Sequence, residues 1–132
     1  RIAPLAQKDM QESQILASLT IAQAILESYW GQSGLTKRAN NLFGIKGSYN
    51  GKTTIAGTQE CYNGQWVTIK AGFRVYPSWE ESIADHSDLF NSLSRYANLR
   101  GLKDYKLACE YVQQDGYATD PNYASKLKNL SI

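Results

Sequence analysis

The stretch Ile15–Gly31, ILASLTIAQAILESYWG, decides how the rest of this sequence is interpreted. Its apolar residues fall on nearly every side of a helix, which is typical of a helix buried in a domain core. Three polar residues, Thr20, Gln23 and Glu27, interrupt the apolar pattern at positions i, i+3 and i+7, so they share one helix face. The sequence therefore predicts a buried central helix with a single polar stripe.

Glu27 stands in the last turn of this predicted helix, before Trp30 and the helix-ending Gly31. The negative end of the helix dipole and partial burial both disfavour a charged carboxylate, so both are expected to raise the pKa of Glu27. A carboxyl group that stays protonated near neutral pH can act as a general acid. The alternative, from spacing alone, is an ordinary surface glutamate that follows an apolar run.

Length and composition indicate one folded domain. The chain has 132 residues, 42% of them hydrophobic and 20% charged, and a formal net charge of +2. So small a charge, without a basic stripe, argues against a nucleic-acid binder. No apolar run reaches the roughly 18 residues of a membrane span. We therefore expect a single domain over residues 1–132, monomeric, with no nucleic-acid partner and no membrane insertion.

Histidine and cysteine are too few and too scattered for metal or nucleophile chemistry. The chain has one histidine, His86, in a predicted helix, and two cysteines, Cys61 and Cys109, far apart in the sequence. They match no zinc-ligand spacing and no catalytic triad. The sequence predicts no metal and no cofactor. His86 is then a surface or packed helix residue, and the cysteines are either paired in an oxidising compartment or two lone thiols.

Capping residues and apolar spacing predict helices before and after the central one. Their expected positions are residues 2–14, a short turn at 36–40 in a glycine-rich loop, a helix that begins after Pro77, residues 104–115, and a last helix that begins at Pro121. The predicted caps are Ser18 for the central helix, Ser78 with Glu81 in a capping box, and Asp120 before the last helix.

The segment 52–76 is the convincing β region of the sequence. Asn63-Gly64 between two runs of β-prone residues is the strongest short-range signal for a hairpin. Strand alternation puts Glu60 and Tyr62 on one face of this hairpin, where an acidic residue is by default solvated. Together with the helices, this predicts an α+β fold that is mostly helical.

Five motifs, taken in order, resemble glycoside hydrolase family 73, the endo-β-N-acetylglucosaminidases of bacteria and phages that cut peptidoglycan. The motifs are AILESYWGQSGL, NNLFGIKG, TQECYNGQW, FRVYPSWEESIADH and DGYATDPNYA, and they cover nearly the whole chain. The resemblance implies a lysozyme-like fold, in which a helical lobe and a β-hairpin lobe flank a substrate groove. It also implies cleavage of the β-1,4 bond between N-acetylglucosamine and N-acetylmuramic acid.

The family motifs imply roles for individual residues. Glu27 takes the place of the catalytic general acid, Glu60 that of a second carboxylate on the hairpin, and Tyr117 that of a tyrosine near the cleavage point. The residues expected to bind substrate or support the groove are Trp30, Asn41, Phe43, Tyr62 and Tyr123. Glu60 could activate a water, giving inversion, or the substrate's own N-acetyl group could attack with help from Tyr117, giving retention.

Other functions are compatible with the same features. An N-acetylmuramidase or a lytic transglycosylase has the same fold and a lone catalytic glutamate, and the fold does not separate them. A wall-binding module without activity is the alternative from a different class, and the retained Glu27 argues against it. The expected partner is the peptidoglycan glycan strand, and the expected location is extracellular or in the cell wall, for a host autolysin or a phage endolysin. Because the chain begins at Arg1, any secretion signal or wall-binding module is expected outside it.

Overall fold

The computed structural model describes residues 2–130, which form a helical lobe and one β-hairpin. In chain order the elements are α1 Ile2–Ser13, α2 Ala17–Ser28, α3 Gly34–Ala39, β1 Thr53–Tyr62, β2 Gln65–Arg74, α4 Trp79–Ser92, a 3-10 helix Ser94–Leu99, α5 Tyr105–Gln114 and α6 Tyr123–Lys128. This confirms the prediction of a mostly helical α+β fold. Within the described residues, no helix combines the length and the apolar content needed to cross a membrane.

The helix α2 is the centre of the helical lobe, as its sequence predicts. Eight of its 12 residues are buried, and it contacts α1, α5 and α6. Its Leu19 belongs to the larger apolar core, together with Phe90 of α4, Val112 of α5 and Leu127 of α6. Burying a side chain of this size contributes about 1.5–3 kcal/mol relative to leaving it exposed. The core therefore holds α2, and with it Glu27, in a fixed position.

A second, smaller core packs α2 and α4 against the loop that follows α3. Its buried members are Ala24, Leu42, Phe43, Ile45 and Ile83. Asn41 organises the backbone next to this core: its side-chain NH2 donates to the carbonyls of Ile45 and Arg74, and its Oδ1 accepts from the Ile45 N–H. The segment that follows α3 is thus held from inside the protein.

Half of the residues in the two hairpin strands are exposed. The strands β1 and β2 pair antiparallel along their whole length and form a two-stranded sheet. Both turn residues, Asn63 and Gly64, have a positive φ, as the favoured two-residue hairpin turn requires. Phe73, at the base, is buried. Because a two-stranded hairpin alone is only marginally stable, its position depends on its contacts with the helical lobe.

The predicted cap at Ser18 is wrong, whereas that at Ser78 is confirmed. The central helix begins at Ala17, one residue before Ser18, and no side chain caps it. The Ala17 N–H donates instead to the sulfur of Met10, and Ile15 is buried just before the helix. Packing, not a capping side chain, therefore sets this helix start. At α4, the Ser78 hydroxyl accepts from the backbone N–H three residues later.

The predicted start of the last helix is also wrong. The helix α6 begins at Tyr123, two residues after Pro121, and Asn122 precedes it. Asp120 uses its side chain to accept from the Asn122 N–H, and its carbonyl accepts from the Tyr123 N–H. A local side-chain bond of this kind favours a turn over a helix. Asp120 and Pro121 thus lie in a turn just before the helix.

Candidate active site

A groove of about 970 Å³ lies between the helical lobe and the hairpin. It is lined by the C-terminal end of α2, by the hairpin, by the loop of residues 116–120 and by α6. Six of the eight residues predicted for the site line this groove: Glu27, Phe43, Glu60, Tyr62, Tyr117 and Tyr123. Folding thus brings together residues from the two ends and the middle of the chain.

The other two predicted site residues, Trp30 and Asn41, do not line the groove. Tyr29 and Trp30 have left-handed backbone conformations that end α2. The Trp30 side chain is 58% exposed. After Glu27, the next residue along the chain that lines the groove is Ser33. Asn41 is buried, and its amide is occupied by the backbone bonds described above. Asn41 therefore shapes the loop after α3, which accounts for its place in the NNLFGIKG motif.

Glu27 lies in the last turn of α2, as predicted, and faces the open groove. The residue is exposed to the solvent of the groove, but the protein around the groove partly desolvates its carboxylate. This desolvation raises the pKa of Glu27 to about 7, and the negative charges of Glu60 and Asp120 act in the same direction. A hydrogen bond from Tyr123 and the charge of Lys126 oppose the shift. At neutral pH, both the protonated and the ionised form of Glu27 are therefore populated.

Two tyrosines adjoin this carboxyl group. The Tyr123 hydroxyl adjoins Glu27, and its hydrogen bonding lowers the pKa of the carboxyl group. The Tyr117 ring stacks on the Tyr123 ring with centroids 5.7 Å apart. Burial, followed by the charge of Glu27, raises the pKa of both tyrosines well above the ordinary value. Both side chains therefore remain neutral phenols that can donate a hydrogen bond. Gly44 lies beside Glu27, and a Cβ atom there would stand 3.8 Å from Glu27 Oε2.

Behind Tyr123 the hydrogen bonds continue into the helical core. Gln23 Nε2 donates to the Tyr123 hydroxyl over 3.1 Å, and Gln23 Oε1 lies 2.9 Å from His86 Nε2. The His86 ring is stacked on Phe43 with centroids 3.9 Å apart and meets the edge of Phe90. Burial lowers the pKa of His86 to about 3, so the ring is neutral. Of the two predicted places for His86, the packed one is confirmed.

Glu60 lies on the hairpin and is held by three donors. Lys46 Nζ and the Thr58 hydroxyl each donate to its Oε2 over 3.2 Å, and the Thr119 hydroxyl donates to its Oε1 over 3.1 Å. The Thr119 hydroxyl also accepts from the Cys61 N–H at 3.0 Å. Thr119 thus links the hairpin to the helical lobe beside the second carboxylate.

The sequence analysis missed several residues of this groove. Trp66 of β2 lines it, and Lys126 of α6 lies 5.6 Å from the Trp66 ring centre, which makes a second link between the lobes. Thr119 stands inside the DGYATDPNYA motif, and that motif was the available signal for it. The contacts of Trp66 and Lys126 join distant parts of the chain, so local patterns did not reveal them.

The cysteines take no part in this hydrogen-bond arrangement through their side chains. Cys61 lies on the hairpin and Cys109 in the helical core, and both are free thiols. The sequence left open whether the cysteines are paired, and the structure confirms two lone thiols. Burial raises the pKa of the Cys109 thiol, which is the opposite of what an activated nucleophile needs.

A carboxyl group with a pKa near 7, in a groove between a helical lobe and a hairpin, defines a lysozyme-like glycoside hydrolase. The comparison of sequences identifies the particular family. Residues 3–131 match the family described as mannosyl-glycoprotein endo-β-N-acetylglucosaminidase, and the chain belongs to this glucosaminidase family. The resemblance noted from the motifs is thereby confirmed.

Individual relatives agree with this assignment. The chain is 45% identical to the exo-glucosaminidase LytG of Bacillus subtilis (strain 168), over 88% of this chain and 43% of LytG. The catalytic domain of the autolysin Auto from Listeria monocytogenes superposes with a TM-score of 0.80 at 40% identity, covering 96% of this chain and 76% of that one. A mutant peptidoglycan hydrolase from Sphingomonas sp. A1 superposes with a TM-score of 0.86 at 39% identity, covering 95% and 84%. The chain spans less than half the length of the curated relatives it matches.

Proposed function

We propose that this chain hydrolyses the β-1,4 bond between N-acetylglucosamine and N-acetylmuramic acid in bacterial peptidoglycan, with Glu27 as the general acid. The observation that carries the proposal is the Glu27 carboxyl group, which faces the groove with a pKa of about 7. Cleavage of a glycosidic bond needs an acid that protonates the departing oxygen. The family, and similar proteins named autolysin and peptidoglycan hydrolase, support the choice of polymer.

The departing oxygen takes the proton of Glu27, and the carboxylate that remains accepts the hydrogen bond of Tyr123. The oxocarbenium-like centre that develops needs a partner on its other face. We favour Glu60 as the base that activates a water there. In support, its charge contributes to the raised pKa of Glu27, and three donors hold it in place. The alternative is attack by the substrate's N-acetyl group, positioned by Tyr117.

The groove also offers aromatic surfaces for sugar rings. Tyr62 and Trp66 line it and are 51% and 52% exposed, so their ring faces are available for stacking against a saccharide. Phe43 is buried, stacks on His86 and supports the groove without an exposed face. We therefore propose Tyr62 and Trp66 as sugar-stacking residues and Phe43 as a support.

One digestion separates the candidate reactions. Purified peptidoglycan is incubated with the chain, and the new ends are identified by mass spectrometry. Reducing N-acetylglucosamine supports the proposal, reducing muramic acid indicates a muramidase, and a 1,6-anhydro end indicates a lytic transglycosylase. Binding to the polymer without any new ends would indicate a wall-binding module. Because LytG is named an exo-enzyme, the sizes of the early products also show whether cleavage is internal or begins at chain ends.

We further propose that the chain acts as a monomer, outside the cell or in the cell wall. The groove is formed by one chain, so catalysis requires no second copy. The location follows from the proposed polymer substrate. Light scattering during size-exclusion chromatography, with and without a soluble glycan, should give the mass of one chain in both cases.

A further inference from the structure

Three buried side chains form a line of hydrogen bonds that runs from the core and ends beside Glu27 in the groove. His86 Nε2 lies 2.9 Å from Gln23 Oε1, and Gln23 Nε2 lies 3.1 Å from the Tyr123 hydroxyl. That hydroxyl adjoins the Glu27 carboxyl group and lowers its pKa by hydrogen bonding. His86 and Gln23 are fully buried and Tyr123 is nearly so, so water does not compete for the inner bonds. Acid catalysis by Glu27 does not by itself explain why this line extends to a histidine.

The direction of the innermost bond follows from the histidine ring. Nδ1 of His86 has no hydrogen-bonding partner among residues 2–130, and the buried ring is neutral. A neutral imidazole carries one N–H, and a buried N–H without an acceptor is rarer than an unused acceptor. The proton therefore resides on Nε2, which donates to Gln23 Oε1.

This bond orients the whole Gln23 amide. With its oxygen toward His86, the amide presents its NH2 group to Tyr123, and an NH2 group can only donate. The Tyr123 oxygen accepts that bond, so its own proton points to the carboxylate of Glu27. If the amide were turned around, its oxygen would take the Tyr123 proton and Glu27 would lose this donor. Both ends of the line therefore require the same orientation.

We propose that Gln23 and His86 are positioning residues that commit the Tyr123 hydroxyl proton to Glu27. The inference rests on the proposed role of Glu27 as the acid. A hydrogen bond to an ionised carboxylate stabilises that ion, and a bond donated to the Tyr123 oxygen makes its hydroxyl a stronger donor. The line thus stabilises the carboxylate that remains after Glu27 has protonated the departing oxygen.

Other groups around Glu27 affect the same titration. They come from the hairpin, from the loop of residues 116–120 and from α6, and they are Glu60, Tyr117, Asp120 and Lys126. Substitution of Gln23 leaves all four in place. A change in the pKa of Glu27 in such a variant therefore reports on the hydrogen-bond line rather than on these groups.

The first test is Gln23→Met, which keeps the length of the side chain and removes both of its hydrogen bonds. The pKa of Glu27, followed by carboxyl ¹³C NMR and assigned with Glu27→Gln, is expected to rise by about half a pH unit or more. On a soluble glycan, kcat should fall about tenfold while KM changes little. Because the titration is read without substrate, it does not depend on the proposed reaction.

Thr20→Val is the matched control. Thr20 lies on the same face of α2 and is equally buried, and its hydroxyl has no hydrogen-bonding partner among the described residues. The variant is expected to keep the pKa of Glu27 and to retain kcat within about twofold. An equal shift of the pKa in Thr20→Val would show that any disturbance of this helix face produces the effect, and would overturn the assignment.

The proposal also requires that Gln23 acts through Tyr123. Tyr123→Phe should raise the pKa of Glu27 at least as much as Gln23→Met does. Adding Gln23→Met to Tyr123→Phe should then raise it no further, because both changes remove the same donor. A second, full shift in the double variant would contradict an action through Tyr123.

The wild-type protein supplies a test that needs no substitution. His86 is the single histidine of the chain, so ¹⁵N-histidine NMR reports on it without assignment. The expected result is the Nε2–H tautomer, unchanged between pH 5 and pH 8 because the pKa is about 3. The Nδ1–H tautomer would overturn the proposal, as would an unchanged Glu27 pKa in Gln23→Met. If Glu27→Gln stayed active while the NMR results held, the catalytic role of Glu27 would fail and the positioning of its proton would stand.

Discussion

The two carboxylates of the groove are held in opposite ways. Glu27 belongs to α2, most of whose residues are buried, and its partner Tyr123 is bonded to the buried Gln23. Glu60 belongs to a half-exposed hairpin, and its bonds to Thr119 and Lys46 lie at the surface. Exposed ion pairs contribute about 0–1 kcal/mol, whereas a buried apolar side chain contributes about 1.5–3 kcal/mol.

The two sides of the groove are therefore expected to differ in how firmly they hold their carboxylates. The position of Glu27 is set by the helical lobe and persists as long as that lobe is folded. The position of Glu60 depends on a few surface contacts that water can replace. We therefore expect the hairpin to move more readily than the helical lobe when the proposed polymer enters the groove. The predictions below test the helical side, the hairpin side and the contact between them.

The largest effect is expected from Glu27→Gln. The amide keeps the size of the side chain but has no proton to give, so turnover of a soluble glycan should fall by ~10²–10⁴. Circular dichroism should show an unchanged fold. Glu12→Gln, an exposed change on α1, is the matched control and should retain full activity. More than about a tenth of wild-type turnover in Glu27→Gln would refute the assignment of the acid.

The next comparison sets Glu60→Gln against Tyr117→Phe. If Glu60 is the base, Glu60→Gln should cost nearly as much as Glu27→Gln, and azide should rescue Glu60→Ala. The first product, read by proton NMR before mutarotation, should then be the α anomer. A β anomer together with a nearly unimpaired Glu60→Gln enzyme would show that the N-acetyl group attacks. Tyr117→Phe should in that case be the more harmful change.

Thr119→Val tests the link between the two sides. It removes the bonds to Glu60 and to the Cys61 N–H while keeping the shape of the side chain. We expect kcat to fall by about threefold to tenfold, because Glu60 is less well positioned. Amide hydrogen exchange should rise in the hairpin and stay unchanged in α2. Thr68→Val, an exposed change on β2, is the control, and equal exchange in both variants would argue against the link.

The raised pKa of Glu27 predicts how stability changes with pH. Its ordinary value is 4.5 and its value in the folded protein is about 7. Between these values the folded state binds more protons than the unfolded state, so this group makes the wild type lose stability as pH rises from 4.5 to 7. Glu27→Gln lacks this loss. The Tm of Glu27→Gln minus that of the wild type should therefore be larger at pH 8 than at pH 4, and an equal or smaller difference at pH 8 would contradict the raised pKa.

The smallest effect on catalysis is expected from the cysteines. Cys61→Ser on the hairpin and Cys109→Ser in the helical core should both leave turnover within about twofold. Stability should separate them: Cys109→Ser places a hydroxyl in the core and should cost about 1–3 kcal/mol, whereas Cys61→Ser should cost less than about 0.5 kcal/mol. A dead double variant, with loss of wild-type activity on thiol alkylation, would instead indicate a cysteine hydrolase.

Local patterns predicted most of the secondary structure because their causes are local. The Asn63-Gly64 turn needs only two residues with a positive φ, and the Ser78 cap needs only a backbone N–H three residues away. Where a distant contact competes, the same rules failed. The start of α2 is set by packing and by Met10 instead of Ser18, and Asp120 is engaged in a turn.

The sequence by itself determined the buried central helix, the polar stripe on it and the place of Glu27 in its last turn, since these follow from helical spacing alone. The motifs added Glu60, Tyr117 and Tyr123 as groove residues. Only the tertiary structure decided which groups meet: His86 lies 63 residues from Gln23, and Thr119 lies 59 from Glu60. Hydrogen bonds and desolvation act over a few ångströms in space, whatever the separation along the chain. The pKa of Glu27 and the support of its proton are therefore properties of the assembled groove.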